Sequence, residues 1–347
     1  MIGSTATAPP TGETLHALLR RYENAGSPLS CEPVAEGLLN RGYRLATTRG
    51  RFFLKLYVDS ATADRTVIAR QHRATQRLDE LGLPVAPPLP DADGGTVTVL
   101  GGRCFALYPW VDGRHRDGAE LTTGQSRRLG ALLGLVHTRL EQVQPPQPPP
   151  AEGRPHHASA DPARTFELID ELLEQVRGHR PRETFDELAE HRLLERRALL
   201  ERHAHRRPPD AREAVTGWVH GDFHPLNLLY REDEPVAIID WDRLGVQPRA
   251  EEAVRAAAIF FVQPSGTLDL AKTAAYARAY RQAADAPPDE LAAAVHRVWW
   301  ERLNDFWMLR WRYQRRDRRA DPLFPASSAL AVWWTGAYEA VRDAFTD

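Results

Sequence analysis

The chain changes character once along its length, near residue 110. Before that point the apolar residues come in short runs between turn signals; beyond it they recur at helical spacing almost to the end. Runs at 33–39, 43–47 and 52–57, with Arg-Gly turn signals at 41–42 and 49–50, predict three strands. A helix over 62–81, stopped by Gly82 and Pro84, comes next. Two further strands, 96–100 and 104–108, turn about Gly101-Gly102-Arg103. Five strands with one helix after the third predict a small antiparallel α+β lobe. The remainder predicts helices at 121–142, 162–178 and 183–205, then three or four more. One island of strand character, AVTGWVHGDFHPLNLLYREDEPVAIIDWD at 214–242, interrupts them. The expected division is an N-terminal segment with a short helix (1–28, helix at 12–24), a small lobe (29–108) and a large helical lobe (109–347). The stretch 143–155, VQPPQPPPAEGRP, reads as a solvent-exposed connector rather than a docking ligand.

Composition narrows the class. Hydrophobic residues make up 42% and charged residues 27%, ordinary values for a globular chain, which excludes a disordered or collagen-like protein. No run of apolar residues is long enough for a membrane span, and the first thirty residues lack a signal-peptide core. Two cysteines, Cys31 and Cys104, build neither a disulfide framework nor a cysteine zinc site. A net charge of −2 gives no pull toward nucleic acid or an acidic membrane. A cytoplasmic protein is expected, with its oligomeric state left open. Of 45 basic residues only Lys55 and Lys272 are lysines, and the asparagines are four: Asn24, Asn40, Asn227 and Asn304. The positions of these scarce residues therefore carry weight.

Within the island the order is His220-Gly-Asp222-Phe-His-Pro-Leu-Asn227, two short apolar strands at 227–230 and 236–239, then Asp240. A hairpin of this length places Asp222 and Asn227 at one strand end and Asp240 at the other. Phosphoryl transfer needs such a set: one carboxylate beside the attacking hydroxyl and two oxygen ligands for Mg²⁺ on ATP phosphates. The order His-x-Asp-x4-Asn followed by a metal-binding Asp is that of the protein-kinase catalytic loop. Lys55 lies inside the third apolar strand, where a half-buried cation needs a partner, and a phosphate-reaching lysine is the kinase use of that position. The alternative is a lysine that snorkels from a strand end. The segment Gly37-Leu-Leu-Asn40-Arg-Gly42-Tyr43 reads as a hairpin turn able to cover phosphates with backbone N–H groups.

These residues resemble the aminoglycoside phosphotransferase / choline kinase superfamily of small-molecule kinases, which includes homoserine and fructosamine kinases. The resemblance spans about residues 30–260 and rests on GLLNRGYRLATTRGRFFLKLY, LDELGLPVAPPL, FALYPWVDGR, LGALLGLVHTRL, VHGDFHPLNLLY and IIDWD. It implies an α+β, two-lobed protein-kinase-like fold with ATP between a five-stranded small lobe and a mainly helical large lobe, the catalytic loop falling at 218–242. It implies Asp222 as catalytic base, Asn227 and Asp240 as Mg²⁺ ligands and Lys55 as phosphate anchor. Asn40 falls in the phosphate-covering turn, and Pro109, Trp110 and Val111 at an adenine-binding hinge. His220 braces the loop or is a satisfied core histidine. The family's small-lobe helix normally pairs a glutamate with the strand lysine; here that position is Gln71, whose neutral amide can bond Lys55 without supplying charge.

The acceptor end is less defined. Six of nine tryptophans fall after residue 298, and along VWWERLNDFWMLRWRY Trp300, Trp307 and Trp311 recur at helical spacing. They read as core packing, or as an aromatic wall for a ring or cation. Glu301 and Asp305 would bind an amino group, or pair with Arg302 and Arg310. Asp242, two residues past Asp240, is the acid placed nearest an acceptor. The run from Arg310 to Arg319 reads as a solvated helix end or an anion patch. From Trp241 onward 14 acidic residues face 15 basic ones, which leans away from a polycationic acceptor. The expected activity is ATP- and Mg²⁺-dependent phosphorylation of a small hydroxyl-bearing molecule. A peptide Ser/Thr kinase and a non-catalytic nucleotide-binding pseudokinase are the alternatives.

Overall fold

A computed structural model describes residues 9–34, 40–58, 64–144, 158–210 and 216–347. In chain order its elements are α1 (Gly12–Leu19), β1 (Pro28–Val34), β2 (Arg41–Thr47), β3 (Gly50–Tyr57), α2 (Arg65–Glu80), β4 (Thr98–Leu100) and β5 (Arg103–Pro109). Then come α3 (Thr123–Val143), α4 (Pro162–Gly178), α5 (Thr184–His203), β6 (Thr216–Val219), β7 (Leu228–Arg231), β8 (Glu234–Ile238) and β9 (Gly245–Pro248). Six helices close the chain: α6 (Arg249–Phe260), α7 (Leu270–Ala284), α8 (Pro288–Asn304), α9 (Trp307–Gln314), α10 (Phe324–Gly336) and α11 (Tyr338–Thr346). The chain forms two compact units. One holds residues up to His115 together with 226–244; the other holds 116–225 and 245–347.

In the first unit an antiparallel sheet runs in the order β1-β2-β3-β5-β4. Strand alternation gives its two faces different chemistry. Leu54 and Leu56 of β3 join Tyr43, Leu45, Phe105 and Leu107 and the α1 residues Leu15, Leu18 and Leu19 in one core. On the opposite face Tyr57 and Ala106 pack with Ile68 of α2. Lys55 and Tyr57 share this second face by the period of two. Asp64 caps α2 through Thr66 and Val67 N–H groups, and Gly82, at φ +77°, ends it. The β7–β8 hairpin joins this unit through the Ile238 N–H to Pro84 carbonyl bond and reciprocal Arg114–Tyr230 bonds.

The five strands and the helix after the third stand as expected, with β1 starting five residues early; 35–39, the rest of that run, lie outside the described residues. So do residues 1–8 and 145–157, the latter most of the proline-rich connector.

The second unit is helical apart from the antiparallel pair β6–β9, of which β9 was not foreseen. In α3, Gly130 and Gly134 let α7 approach closely: a Cβ on Gly130 would stand 2.0 Å from the Tyr276 carbonyl oxygen. The C-terminal region holds six helices rather than three or four. One reason is visible at Asp305, whose extended backbone ends α8 and whose carboxylate accepts the Trp307 N–H at 3.0 Å to start α9. The tryptophan stripe therefore spans two helices. Among the described residues no helix is long and apolar enough to cross a membrane.

Candidate active site

Lys55 sits at the centre of the small sheet, opposite Gly42 on β2 and Ala106 on β5. Its ammonium is buried and lies 2.7 Å from Asp240 Oδ1 and 2.8 Å from Asp242 Oδ1. Burial alone would pull its pKa down; the two carboxylates outweigh that, so it is held above the ordinary lysine range. Behind it, His72 Nε2 meets the hydroxyls of Tyr57 at 3.1 Å and Tyr108 at 3.0 Å, and His72 Nδ1 meets Thr96 Oγ1 at 2.8 Å. Burial first, then the Lys55 charge, pushes His72 down to about 3, so its imidazole is neutral. Burial pushes the Tyr108 hydroxyl up to about 12.

The acids come from the end of the hairpin. The Ile239 N–H bonds the Asn227 carbonyl at 2.9 Å, which sets Asn227 and Asp240 at the same, open end of the β7–β8 pair. Asp240 adopts a left-handed backbone, φ +61°, tolerated by its short polar side chain. The turn after it is fixed by Trp241 Nε1 donating to the Ile238 carbonyl at 3.0 Å. Asp242 is fastened from two sides: Asn40 Nδ2 donates to its Oδ2 at 2.5 Å, and Gln71 Nε2 to its carbonyl at 2.7 Å. Burial raises its carboxyl first, against the lowering pull of Lys55, and Asp240 raises it further.

One sequence expectation changes here. Gln71 bonds the Asp242 carbonyl and not Lys55, because Lys55 is already taken by two carboxylates. The Asn40 side chain donates to Asp242 and accepts the Val58 N–H (3.0 Å). Gly37 and its two neighbours, the other half of the expected phosphate-covering turn, lie outside the described residues.

At the end of β5 the Trp110 N–H bonds the Arg51 carbonyl at 3.3 Å. That makes Phe52–Pro109 a non-hydrogen-bonded pair of the ladder and turns the Pro109 carbonyl away from β3. Trp110 Nε1 donates to Asp112, and Val111 between them is only partly buried.

Asp222 and His220, expected in the catalytic loop, belong to the second unit. His220 is fully buried, and its Nδ1 accepts the Asp222 N–H at 3.2 Å, the bracing role. Glu252 of α6 accepts the N–H groups of His220 (3.2 Å) and Gly221, and His137 Nε2 of α3 lies 2.7 Å from it. Burial works to raise the Glu252 carboxyl, but bonds to His137 and the loop bring it below the ordinary range. His224 Nε2 stands 3.6 Å from Asp222 Oδ2. Glu252, His137 and His224 were missed by sequence reasoning. His137 lay inside a quoted segment, and His224 in the motif itself, but no spacing links either to a role.

The acceptor residues fare differently. Trp300 is buried and donates to the Ala160 carbonyl at 3.0 Å, so it is core. Glu301 pairs with Arg255 of α6 at 2.9 Å, tying two helices together, rather than with Arg302 or an amino group. The Asp305 carboxylate accepts the Trp307 N–H at the start of α9, and its carbonyl accepts Arg196 at 2.6 Å. Trp307 packs edge-on to Trp311, centroids 5.3 Å apart. Asp242, expected near an acceptor, is shut in beside Lys55. The arginine run is not wholly solvated: Arg312 is buried against Glu183 and Asp321.

The sequence profile of the phosphotransferase enzyme family matches residues 30–286. The chain belongs to that family. A homoserine kinase of Sinorhizobium medicae is 29% identical over 240 residues, covering 67% of this chain and 63% of the relative. The chain thus matches a little under two thirds of the length of that curated relative. Among solved structures, an amicoumacin kinase in complex with AMP-PNP and Ca²⁺ superposes with a TM-score of 0.61 at 19% identity, covering 95% of this chain and 92% of the other. A spectinomycin phosphotransferase in complex with ADP and spectinomycin gives 0.63 at 14% identity, covering 96% and 100%. These likenesses establish the fold of this phosphotransferase-family chain, the two-lobed α+β kinase-like class expected from its sequence.

Proposed function

We propose that the protein transfers the γ-phosphoryl group of ATP to a hydroxyl of a small molecule. The observation that carries this reading is the buried Lys55 of the small sheet set 2.7 Å from Asp240, the acid that follows the His220–Asn227 motif. The donor set suits Mg²⁺. Asn227 and Asp240 offer hard oxygens at one hairpin end, and among the described residues no group of three or more His, Cys, Asp or Glu forms a closed cage. An ion that keeps waters and phosphate oxygens needs few protein ligands. Asn227 and Asp240 would hold the ion there, and it would supply positive charge against that of the ATP phosphates.

Lys55 would neutralise the α- and β-phosphates, and the Pro109 carbonyl and Val111 N–H would meet the adenine edge. Asp222 would orient the acceptor hydroxyl and take its proton as the bond from phosphorus to the acceptor oxygen forms and the bond to the β-phosphate oxygen breaks. Because the transition state is loose, positioning and electrostatics account for most of the rate. Relatives named for homoserine and for antibiotics support a small hydroxyl-bearing acceptor. The test incubates the protein with ATP, Mg²⁺ and a panel of hydroxylated metabolites, homoserine and antibiotics among them, and reads acceptor mass for the gain of one phosphate. Asp222→Asn is expected to abolish transfer while nucleotide binding persists; full turnover by that variant would remove Asp222 from the role.

A further inference from the structure

Lys55 has two carboxylate partners, and they differ in kind. The Asp240 side chain is 44% exposed, whereas that of Asp242 is 13% exposed and that of Lys55 9%. Asp240 is the more exposed of the two. Asp242 is enclosed and fixed by groups from three elements: Lys55 on β3, Gln71 on α2, and Asn40 just ahead of β2, itself tied to Val58 at the end of β3. The face that α2 turns inward carries Ile68, Gln71, His72, Ala74, Thr75 and Leu78, with no acid among them. Among the described residues, both carboxylates in contact with the buried ammonium come from the turn after β8.

We infer that Asp242 is the permanent counter-ion of Lys55, a positioning residue that holds the ammonium in place when Asp240 turns to a cation. The inference rests on the proposed function and sharpens it. A carboxylate shared with a divalent ion no longer balances a buried lysine, and a buried cation stripped of its partner is costly. Asp242 cannot follow Asp240 outward, because both its second oxygen and its carbonyl are engaged. Gln71 serves as the clamp on that acid, which gives a neutral side chain at this position a purpose. The pseudokinase alternative loses its main support, since the lysine retains an anionic anchor from a different part of the chain.

The experiment compares the wild type with Asp242→Asn, Gln71→Glu and the double variant, using the affinity of a fluorescent ATP analogue with Mg²⁺ and the unfolding midpoint. Asp242→Asn is expected to weaken nucleotide binding about 10- to 100-fold. Adding Gln71→Glu, which returns a carboxylate from α2, is expected to recover about tenfold of that loss. Unchanged affinity in Asp242→Asn overturns the inference. So does a loss that Gln71→Glu leaves untouched, which would make Asp242 a direct ligand of metal or nucleotide. Should the wild type bind no nucleotide, the proposed function fails by itself. The ion pair is then decided by unfolding midpoints: Asp242→Asn is expected to cost stability with Lys55 present and none in a Lys55→Met background, and equal losses in both overturn it. The same cycle serves if Asp242→Asn alone does not fold.

Discussion

His72 of α2 packs against the sheet face that carries Lys55, and burial treats the two in opposite ways. Lys55 keeps its proton because two carboxylates touch it; His72 loses its own to burial and then to the Lys55 charge, with only neutral hydroxyls for partners. The sign of the pH effect follows. Unfolded, His72 takes a proton below about 6.5; folded, it refuses one down to about 3. Stability from this group is thus complete above pH 6.5 and declines as pH falls toward 3, by about 2 kcal/mol at pH 5. Urea unfolding at pH 7 and pH 5 is expected to show that loss, and His72→Gln to flatten the slope by about one proton. At this scale Lys55, Asp222, Asn227 and Asp240 stand out as candidates because each is marked locally, by strand context or by short spacing. The use of Asp242 is not so marked, since its partners Asn40 and Gln71 lie 202 and 171 positions away.

Elements carry the loop geometry. The segment before Asp222 is held by its own N–H groups on Glu252, and Glu252 in turn by His137 on α3. Glu252→Gln keeps the shape but offers an acceptor without charge and with a competing donor. It is expected to lower kcat by about 10²-fold with nucleotide affinity nearly unchanged, the mark of misplacement rather than lost binding, read from steady-state kinetics. The helix behind this brace is positioned by contact of backbone on backbone. Gly130→Ala would drive a methyl group into the Tyr276 carbonyl and is expected to destabilise the second unit by about 1–3 kcal/mol, measured by thermal unfolding. Elements with strong periodicity and a capping residue, such as α2 and α3, were readable. The strand β9 was not, because four residues paired only with β6 carry no pattern of their own. Nor was the break at Asp305, where an acid whose carboxylate accepts the Trp307 N–H sits inside an uninterrupted helical pattern.

Taken whole, the chain reaches each of its two units more than once: it leaves the first after His115, returns for 226–244 and departs again. A ligand bound on the native form alone raises stability by about 2.7 kcal/mol at a hundred times its Kd. Mg²⁺ with ATP is expected to raise the unfolding midpoint accordingly, and a chelator to remove most of that rise; equal shifts with and without chelator would place the nucleotide away from Asn227 and Asp240. The discontinuity also bears on how the protein is made. Lys55 leaves the ribosome 185 residues ahead of Asp240. At about 5–20 residues per second the nascent sheet waits roughly 10–40 s for the charges that let its lysine be buried. The first part of the chain to be translated is therefore among the last to settle, and a truncated message yields a sheet whose central strand carries an orphan cation.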